Sequence, residues 1–262
     1  MSLDTALWLA GSIAEVVVVG VLLYRRLWRM FPFFFLYITQ AAVGALGLAI
    51  VIHSDHRGYA TWYLVETILD SVLLFAVLVE LAWSILRPVR ASLSRRALIP
   101  VSGLILAIGA AVWPFTALPA LAGRSVEFHF LFQLEQTVSI LQIVFFLALI
   151  AGSQVLSIGW RDRELQIASG LGFYSATGVA AAILHTHQTS FVQYKHLDQA
   201  LIGAWFCTLL YWTVSFVQQE AERREFTPEM QRVLLAVAGA ARASRVVLTE
   251  SQAGRPHRQD QH

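Results

Sequence analysis

Five acidic residues lie within long apolar stretches of this sequence, where an ionised side chain is costly. They are Glu15, Glu66, Asp70, Glu80 and Glu135. No lysine or arginine lies within those stretches, so none of the acids has a basic partner at its own depth. An ionised carboxylate at the centre of a bilayer costs at least about 2.5 kcal/mol. We therefore expect each acid to be protonated, hydrogen-bonded, hydrated or bound to a cation.

The spacing of these residues predicts that several of them meet. Glu66 and Asp70 share one face of a helix, and Glu135 begins a polar stripe that continues to Gln142. Glu15, Asp70 and Glu135 each lie roughly nine to eleven residues from the outer end of their stretch, which is near the bilayer midplane at about 1.5 Å per residue. We predict that a ligand or proton site is formed by Glu15, Glu66, Asp70, Glu135 and Gln142. The alternative is that they are neutral and only hydrogen-bond the helices together.

Histidines form a second group, at the ends of the apolar stretches that we predict to face outward. The members are His53, His56, His129, His185, His187 and His196. Imidazole suits zinc and copper, and His129, His185, His187 and His196 are the candidate metal ligands. Their spacing matches no standard metal site. A pH-sensing cluster and simple placement at the membrane interface are the alternatives.

Several chemistries are excluded by what the chain lacks. A retinal Schiff base needs a lysine within a span, and the one lysine, Lys195, lies outside the stretches. Phosphate-binding glycine loops, Gly-x-Ser-x-Gly and His-Glu-x-x-His are missing. The single cysteine, Cys207, rules out an intramolecular disulfide, and we interpret it as a small packing residue. A net charge of +2 does not favour nucleic-acid binding, so we predict no nucleic-acid partner. Because the cofactor motifs above are missing, we also predict no cofactor.

The elements that position these residues are predicted transmembrane helices. The chain is 57% hydrophobic and 14% charged, against roughly 25% charged for a soluble domain. A helix of roughly 20 apolar residues spans a bilayer core. Seven stretches qualify: Thr5–Tyr24, Phe33–Ile52, Tyr59–Leu86, Ala97–Leu118, Val126–Ala151, Leu165–Leu184 and Gln199–Val217. We therefore predict an all-α bundle of seven transmembrane helices, with the lipid bilayer as its solvent. Pro114 should kink or end the fourth helix.

The distribution of basic residues predicts the orientation of the bundle. Of the 19 lysines and arginines, all but Arg57, Arg124 and Lys195 lie on one side of the seven-span arrangement. The positive-inside rule puts that side in the cytoplasm. We therefore expect the N-terminus outside, the C-terminus inside, and the chain in a bacterial cytoplasmic membrane as a multi-pass protein.

The C-terminal part of the chain differs in composition from the spans. Residues 1–218 form the predicted transmembrane domain, 219–250 a predicted cytoplasmic amphipathic helix, and 251–262 a polar, disordered tail. Thr227 and Pro228 are typical of a helix start. The amphipathic helix is expected to lie on the membrane, the bundle or a cytoplasmic protein partner.

Four local patterns carry a resemblance to known proteins. They are the aromatic run from Phe31 to Tyr37, Trp62-Tyr63-x-x-Glu66, Leu134-Glu135-x-x-Val138 and Gly159-Trp160-Arg161. With these, the chain resembles a family of bacterial seven-span membrane proteins of uncharacterised activity. It is more distantly similar to the seven-transmembrane sensor regions that precede histidine kinases. The first resemblance implies the seven-span fold, and the second implies sensing by analogy.

Three functions follow from these observations. The leading hypothesis is a non-enzymatic, sensor-like or scaffold protein with a buried acidic site. The first alternative is a small proton- or cation-coupled transporter that uses the same carboxyls. The second alternative is a metal-dependent membrane enzyme at the outer histidines.

Overall fold

The computed structural model describes residues 3–54, 58–85, 98–116, 126–156, 162–185 and 191–218. Within these ranges the chain is helical and contains no strand. The seven α-helices there are α1 (Leu3–Tyr24), α2 (Pro32–Ser54), α3 (Gly58–Ile85), α4 (Leu98–Val112), α5 (Val126–Leu156), α6 (Arg163–His185) and α7 (Phe191–Val217). The predicted all-α fold is confirmed. The predicted cytoplasmic helix and tail, residues 219–262, lie outside the described residues.

The helices have the length and composition of membrane spans. Among the described residues, five stretches, in α3 to α7, are long and apolar enough to cross a bilayer. The described apolar stretches of α1 and α2 are shorter, at Trp8–Tyr24 and Pro32–Gly47. The helices themselves extend over 22 and 23 residues. This character is that of a membrane-embedded protein.

Helix ends depart from the predicted spans by five residues or more in three places, one of which is α4, where the helix ends at Val112 and not at the predicted Leu118. Helix α7 begins at Phe191, eight residues before the predicted Gln199, and α5 continues past Ala151 to Leu156. Polar residues at the end of an apolar stretch mark the edge of the bilayer, but they do not interrupt a helix. Pro114 lies in the short 3-10 turn that follows α4, as its restricted backbone requires.

Neighbouring helices in the chain pack against one another, and α1 closes the bundle against α7. Helix α3 also contacts α5 and α6, whereas α4 packs on the outside against α3 and α5. Large apolar side chains of α4 are correspondingly exposed, including Ile99, Leu104 and Leu106. Cys207 is exposed as well, so its interpretation as a packing residue is wrong.

One end of the bundle, which we call the arginine end, is tied together by polar contacts between helix termini. Arg25, just after α1, donates to the carbonyl of Val217 at the end of α7. Arg163, which begins α6, donates to the carbonyls of Ser215 at 2.7 Å and Gln218 at 2.6 Å. The last carbonyls of a helix have no partners within it, so these guanidinium groups satisfy them.

The apolar core lies towards the arginine end. Its fully buried side chains come from α1, α2, α3, α6 and α7, and include Val18, Phe34, Val77, Leu81, Leu171, Leu209, Trp212 and Phe216. The Trp212 indole donates to the carbonyl of Gln166 at 3.1 Å. It lies against Gly170, where a Cβ atom would collide with the ring. Dense apolar packing at this end leaves room for a cavity only in the opposite half of the described bundle.

Candidate ligand cavity

A cavity of about 460 Å³ lies in the half of the bundle away from the arginine end. Helices α1, α2, α3, α5, α6 and α7 all contribute to it. The lining residues include Trp8, Glu15, Tyr37, Gln40, Glu66, Asp70, Ser71, Glu135, Tyr174 and Trp205. Its volume is within the range of small-molecule sites.

Four of the five predicted site residues line this cavity. Glu15 comes from α1, Glu66 and Asp70 from adjacent turns of α3, and Glu135 from α5. Asp70 is close enough to Glu66 and Glu135 for their charges to interact, and Glu15 interacts similarly with Glu66. Among the described residues that line the cavity, none is Lys, Arg or His. The convergence predicted from the spacing is therefore present, while the role of these acids stays a prediction.

Glu15 is the most deeply buried of the four acids, with 6% of its surface exposed. Trp205 of α7 donates from its indole nitrogen to Glu15 Oε1 at 2.8 Å. Glu15 Oε2 is buried and has no hydrogen-bond partner among the described residues. Trp8, Gly11 and Ser12 precede Glu15 at helical spacing and line the same cavity. One face of α1 thus forms a wall whose innermost acceptor is unsatisfied.

Glu66 depends on a close approach between α2 and α3. Its carboxylate lies against Gly44, so that a Cβ atom at that glycine would collide with Glu66 Oε1. One turn before Gly44, the buried Oε1 of Gln40 also has no hydrogen-bond partner in the described part of the chain. The missing Cβ of Gly44 therefore gives the carboxylate its room beside α2.

Aromatic rings form much of the remaining wall. Trp205 lies with its ring centroid 4.9 Å from that of Tyr174 and 6.2 Å from that of Tyr37. Trp8 lines the cavity from α1. None of these four rings is among the residues that the sequence analysis predicts for the site. A tryptophan and two tyrosines within apolar helices were the available signal, since buried Trp and Tyr usually need a polar partner.

Gln142 and Glu80 lie away from this group. Gln142 accepts a hydrogen bond at Oε1 from the Ser175 hydroxyl, joining α5 to α6, and it is not among the lining residues. Glu80 lies near the arginine end and accepts from the backbone amides of Phe33 at 3.1 Å and Phe34 at 3.0 Å. These two polar side chains therefore join pairs of helices outside the cavity.

A chain of aromatic contacts runs from the cavity to the arginine end. Trp205 meets Trp212 at 5.9 Å between ring centroids, and Trp212 meets Phe34 at 5.0 Å. Phe34 meets Phe216 at 5.9 Å, and the Arg163 guanidinium lies 5.8 Å from the Phe216 ring. All three ring pairs are edge-to-face, the arrangement that the quadrupoles of aromatic rings favour.

Three of the four histidines proposed as metal ligands have side chains outside the described part of the structure. His187 lies outside the described ranges, and the side chains of His129 and His185 are not described. His196, near the start of α7, is exposed. Among the described residues, no group of three or more potential ligands could hold a metal ion. The metal-site hypothesis stays a prediction.

Comparisons with known proteins add no identity. No protein-family model matches the chain, no curated protein matches it, and no solved structure matches it. The cavity, and the aromatic contacts that run from it to the arginine end, are therefore the features that bear on function.

Proposed function

We propose that this chain is a sensor-like receptor of a bacterial cytoplasmic membrane. In this proposal all seven helices span the bilayer, with the N-terminus outside and the C-terminus in the cytoplasm. The acidic cavity receives a ligand from the outer side, and α7 transmits its occupancy to the cytoplasmic end.

The single observation that carries the proposal is that α7 is bonded both at the cavity, near the middle of the helix, and at its arginine end. At the cavity, Trp205 donates to Glu15 of α1. Further along, Trp212 and Phe216 belong to the aromatic chain, and Arg163 binds the carbonyls of Ser215 and Gln218. Trp205 and Phe216 are separated by about 16 Å along the axis at 1.5 Å per residue. A shift of the indole is therefore coupled to the helix end through rigid elements.

The polar ties at the arginine end support the orientation. Arg25 and Arg163 are distant in sequence, yet both bind carbonyls at the end of α7. Sequence places most other basic residues on this same side of the seven-span arrangement. By the positive-inside rule, this end faces the cytoplasm and the cavity lies in the outer half. This orientation makes the cavity accessible to an external signal.

The output of the receptor is expected to be the segment after Gln218. Residues 219–250 are the predicted amphipathic helix, and they continue directly from the carbonyl that Arg163 holds. A change at that carbonyl alters how the segment leaves the bundle. A cytoplasmic protein partner is the proposed recipient of the signal, in keeping with the distant similarity to kinase sensor regions.

A spin label at the end of α7 tests this coupling. Gln218 is exposed, and Arg163 donates to its backbone carbonyl. In the full-length Cys207→Ser/Gln218→Cys protein, the label is therefore attached at one place without removing that contact. Trp205→Phe removes the indole donor to Glu15 and is expected to change label mobility at position 218.

Tyr211→Phe is the matched control, because Tyr211 lies on the same helix with an exposed side chain. It is expected to leave the mobility of the label unchanged. Identical spin-label spectra for the labelled protein with and without Trp205→Phe would contradict the receptor proposal. Equal changes in both variants would also contradict it, because the effect would then not depend on the cavity.

A small proton- or cation-coupled carrier is the second candidate. The observation in its favour is the set of four cavity acids with no basic residue among the described lining side chains. Proteoliposomes with a trapped pH indicator would measure proton flux under an imposed gradient. Flux that is abolished by Asp70→Asn would favour the carrier, whereas its absence in the unmodified protein would remove this candidate.

A further inference from the structure

We infer that the ligand of the cavity is an organic ammonium ion: a protonated amine that carries an apolar body. The inference rests on the proposed function, because it names the class of ligand that the same cavity would take. It is supported by three features: the charge of the lining, the unsatisfied acceptors and the aromatic walls.

The charge of the lining favours a cation. Four carboxyls face one space, and among the described lining residues no basic side chain offsets them. A bare metal ion fits this space less well than an organic cation does. Divalent ions need several oxygens converging at roughly 2.0–2.6 Å. No three acidic or histidine side chains of the described residues come together in that way.

Two residues that line the cavity each have a buried side-chain atom without a partner, and both atoms are hydrogen-bond acceptors. They are Glu15 Oε2 and Gln40 Oε1, which have no partner within the described residues. Glu15 is 6% exposed, and its other oxygen accepts from Trp205. A buried acceptor without a donor is costly, and the N–H groups of an ammonium ion are donors that would satisfy it. Charge-assisted bonds of this kind are the strong ones.

The aromatic walls favour an ammonium ion with an apolar body. Trp8, Tyr37, Tyr174 and Trp205 all line the cavity. A ligand cation over the face of such rings is attracted by their negative π faces. The same rings offer apolar surface to the rest of the ligand. A volume of about 460 Å³ leaves room for a body well beyond the charged group.

Binding to the full-length protein in detergent micelles tests the inference. The probes are phenethylammonium and butylammonium, with 2-phenylethanol as the neutral control for partitioning into the micelle. Magnesium and zinc chloride form the inorganic arm. Affinity is measured from the ligand-induced rise in unfolding temperature. Phenethylammonium is expected to bind, and 2-phenylethanol is expected to give no shift at the same concentration.

Variants assign the binding to the cavity. Asp70→Asn is expected to weaken phenethylammonium binding about tenfold or more, through loss of a charged partner. Trp8→Leu is expected to weaken it about 2- to 30-fold through loss of a cation–π contact. Because Trp8 is partly exposed, this variant gives a second readout if Asp70→Asn does not fold. Glu80→Gln, an acid outside the cavity, should bind like the unmodified protein.

The outcomes separate the ligand class from the receptor proposal. Failure of both ammonium probes, or equal binding of 2-phenylethanol, would overturn the ligand class. Asp70-dependent binding of magnesium or zinc without any ammonium binding would also overturn it, while leaving the receptor proposal in place. Bound phenethylammonium that leaves the spin label at position 218 unchanged would instead count against the receptor and leave the ligand class standing.

Discussion

Glu80 is an acid within an apolar helix, and its carboxylate accepts hydrogen bonds from the first free backbone amides of α2. Replacing Glu80 therefore tests whether these hydrogen bonds stabilise the fold. Helix α2 begins at Pro32, which has no N–H, and the Phe35 amide already donates to the Phe31 carbonyl at 3.0 Å. The amides of Phe33 and Phe34 remain, and Glu80 accepts from both. The carboxylate of α3 therefore completes the N-terminus of α2 and also interacts favourably with its dipole.

The expected cost of removing this carboxylate follows from those two bonds. Losing a helix cap costs about 0.5–2 kcal/mol, and losing a charge at a helix N-terminus costs about 0.3–1 kcal/mol. Phe34 is fully buried, so its amide would also be left unsatisfied at about 1–3 kcal/mol. These terms overlap, and we expect Glu80→Ala to lower the free energy of unfolding by about 2–4 kcal/mol. Glu80→Gln keeps one acceptor oxygen and should cost about half as much.

Reversible unfolding in mixed micelles with increasing SDS measures this difference, with tryptophan fluorescence as the signal. Glu66→Ala and Glu66→Gln are the matched controls, since Glu66 is an acid of the same helix that lines the cavity. We expect Glu80→Ala to lower the free energy of unfolding clearly more than Glu66→Ala does. A cost for Glu80→Ala below about 0.5 kcal/mol, under the range for a lost cap, would refute it.

Three further predictions concern other contacts. Gly103→Ala, with open space around its Cβ position, should raise the free energy of unfolding in the same assay by about 0.5–1 kcal/mol, because alanine loses less backbone entropy than glycine in a helix. Gly44→Ala should show no such gain, because its Cβ displaces the Glu66 carboxylate. Equal gains in the two variants would contradict the close approach at Gly44. Arg163→Lys should lower the free energy of unfolding by about 1–3 kcal/mol, because lysine lacks the planar fork that binds the α7 carbonyls. Arg29→Lys, at an exposed site, should leave the free energy of unfolding unchanged. An unchanged SDS midpoint for Arg163→Lys would contradict the proposed role of the guanidinium. Accessibility tags at the two chain ends should be modified on opposite faces of the membrane, and modification on one face would overturn the seven-span topology.

The convergence of the acids illustrates how much sequence periodicity can predict. Glu66 and Asp70 are one helical turn apart, so they share a face wherever α3 lies. A carboxyl in an apolar helix is stable only if it faces the bundle, which restricts Glu15 and Glu135 to the same interior. Depth along the helix follows from counting residues at a constant rise. Each step uses only local geometry and the cost of burial in lipid.

Gln142 and Glu80 illustrate what periodicity does not predict. Gln142 lies on α5 two turns beyond Glu135, and the same reasoning assigned it to the site. Its actual partner is Ser175 of α6. Glu80 shares a face with Asp70, but its partners are the first amides of α2. Which neighbour a side chain meets depends on the rotation and offset of the adjacent helix, and no single helix contains that information.

The sequence by itself determined the membrane-embedded character of this protein, the seven α-helices of its described ranges and the inward direction of the acids that line the cavity. These properties depend on hydrophobicity and helical spacing, which are local. Only the tertiary structure decided that Trp205 of α7 bonds Glu15, that Tyr37 and Tyr174 complete an aromatic wall, and that Glu15 keeps a free acceptor. Those facts depend on how α1, α2, α6 and α7 are rotated and packed, because a cavity consists of the space that several helices together leave unfilled.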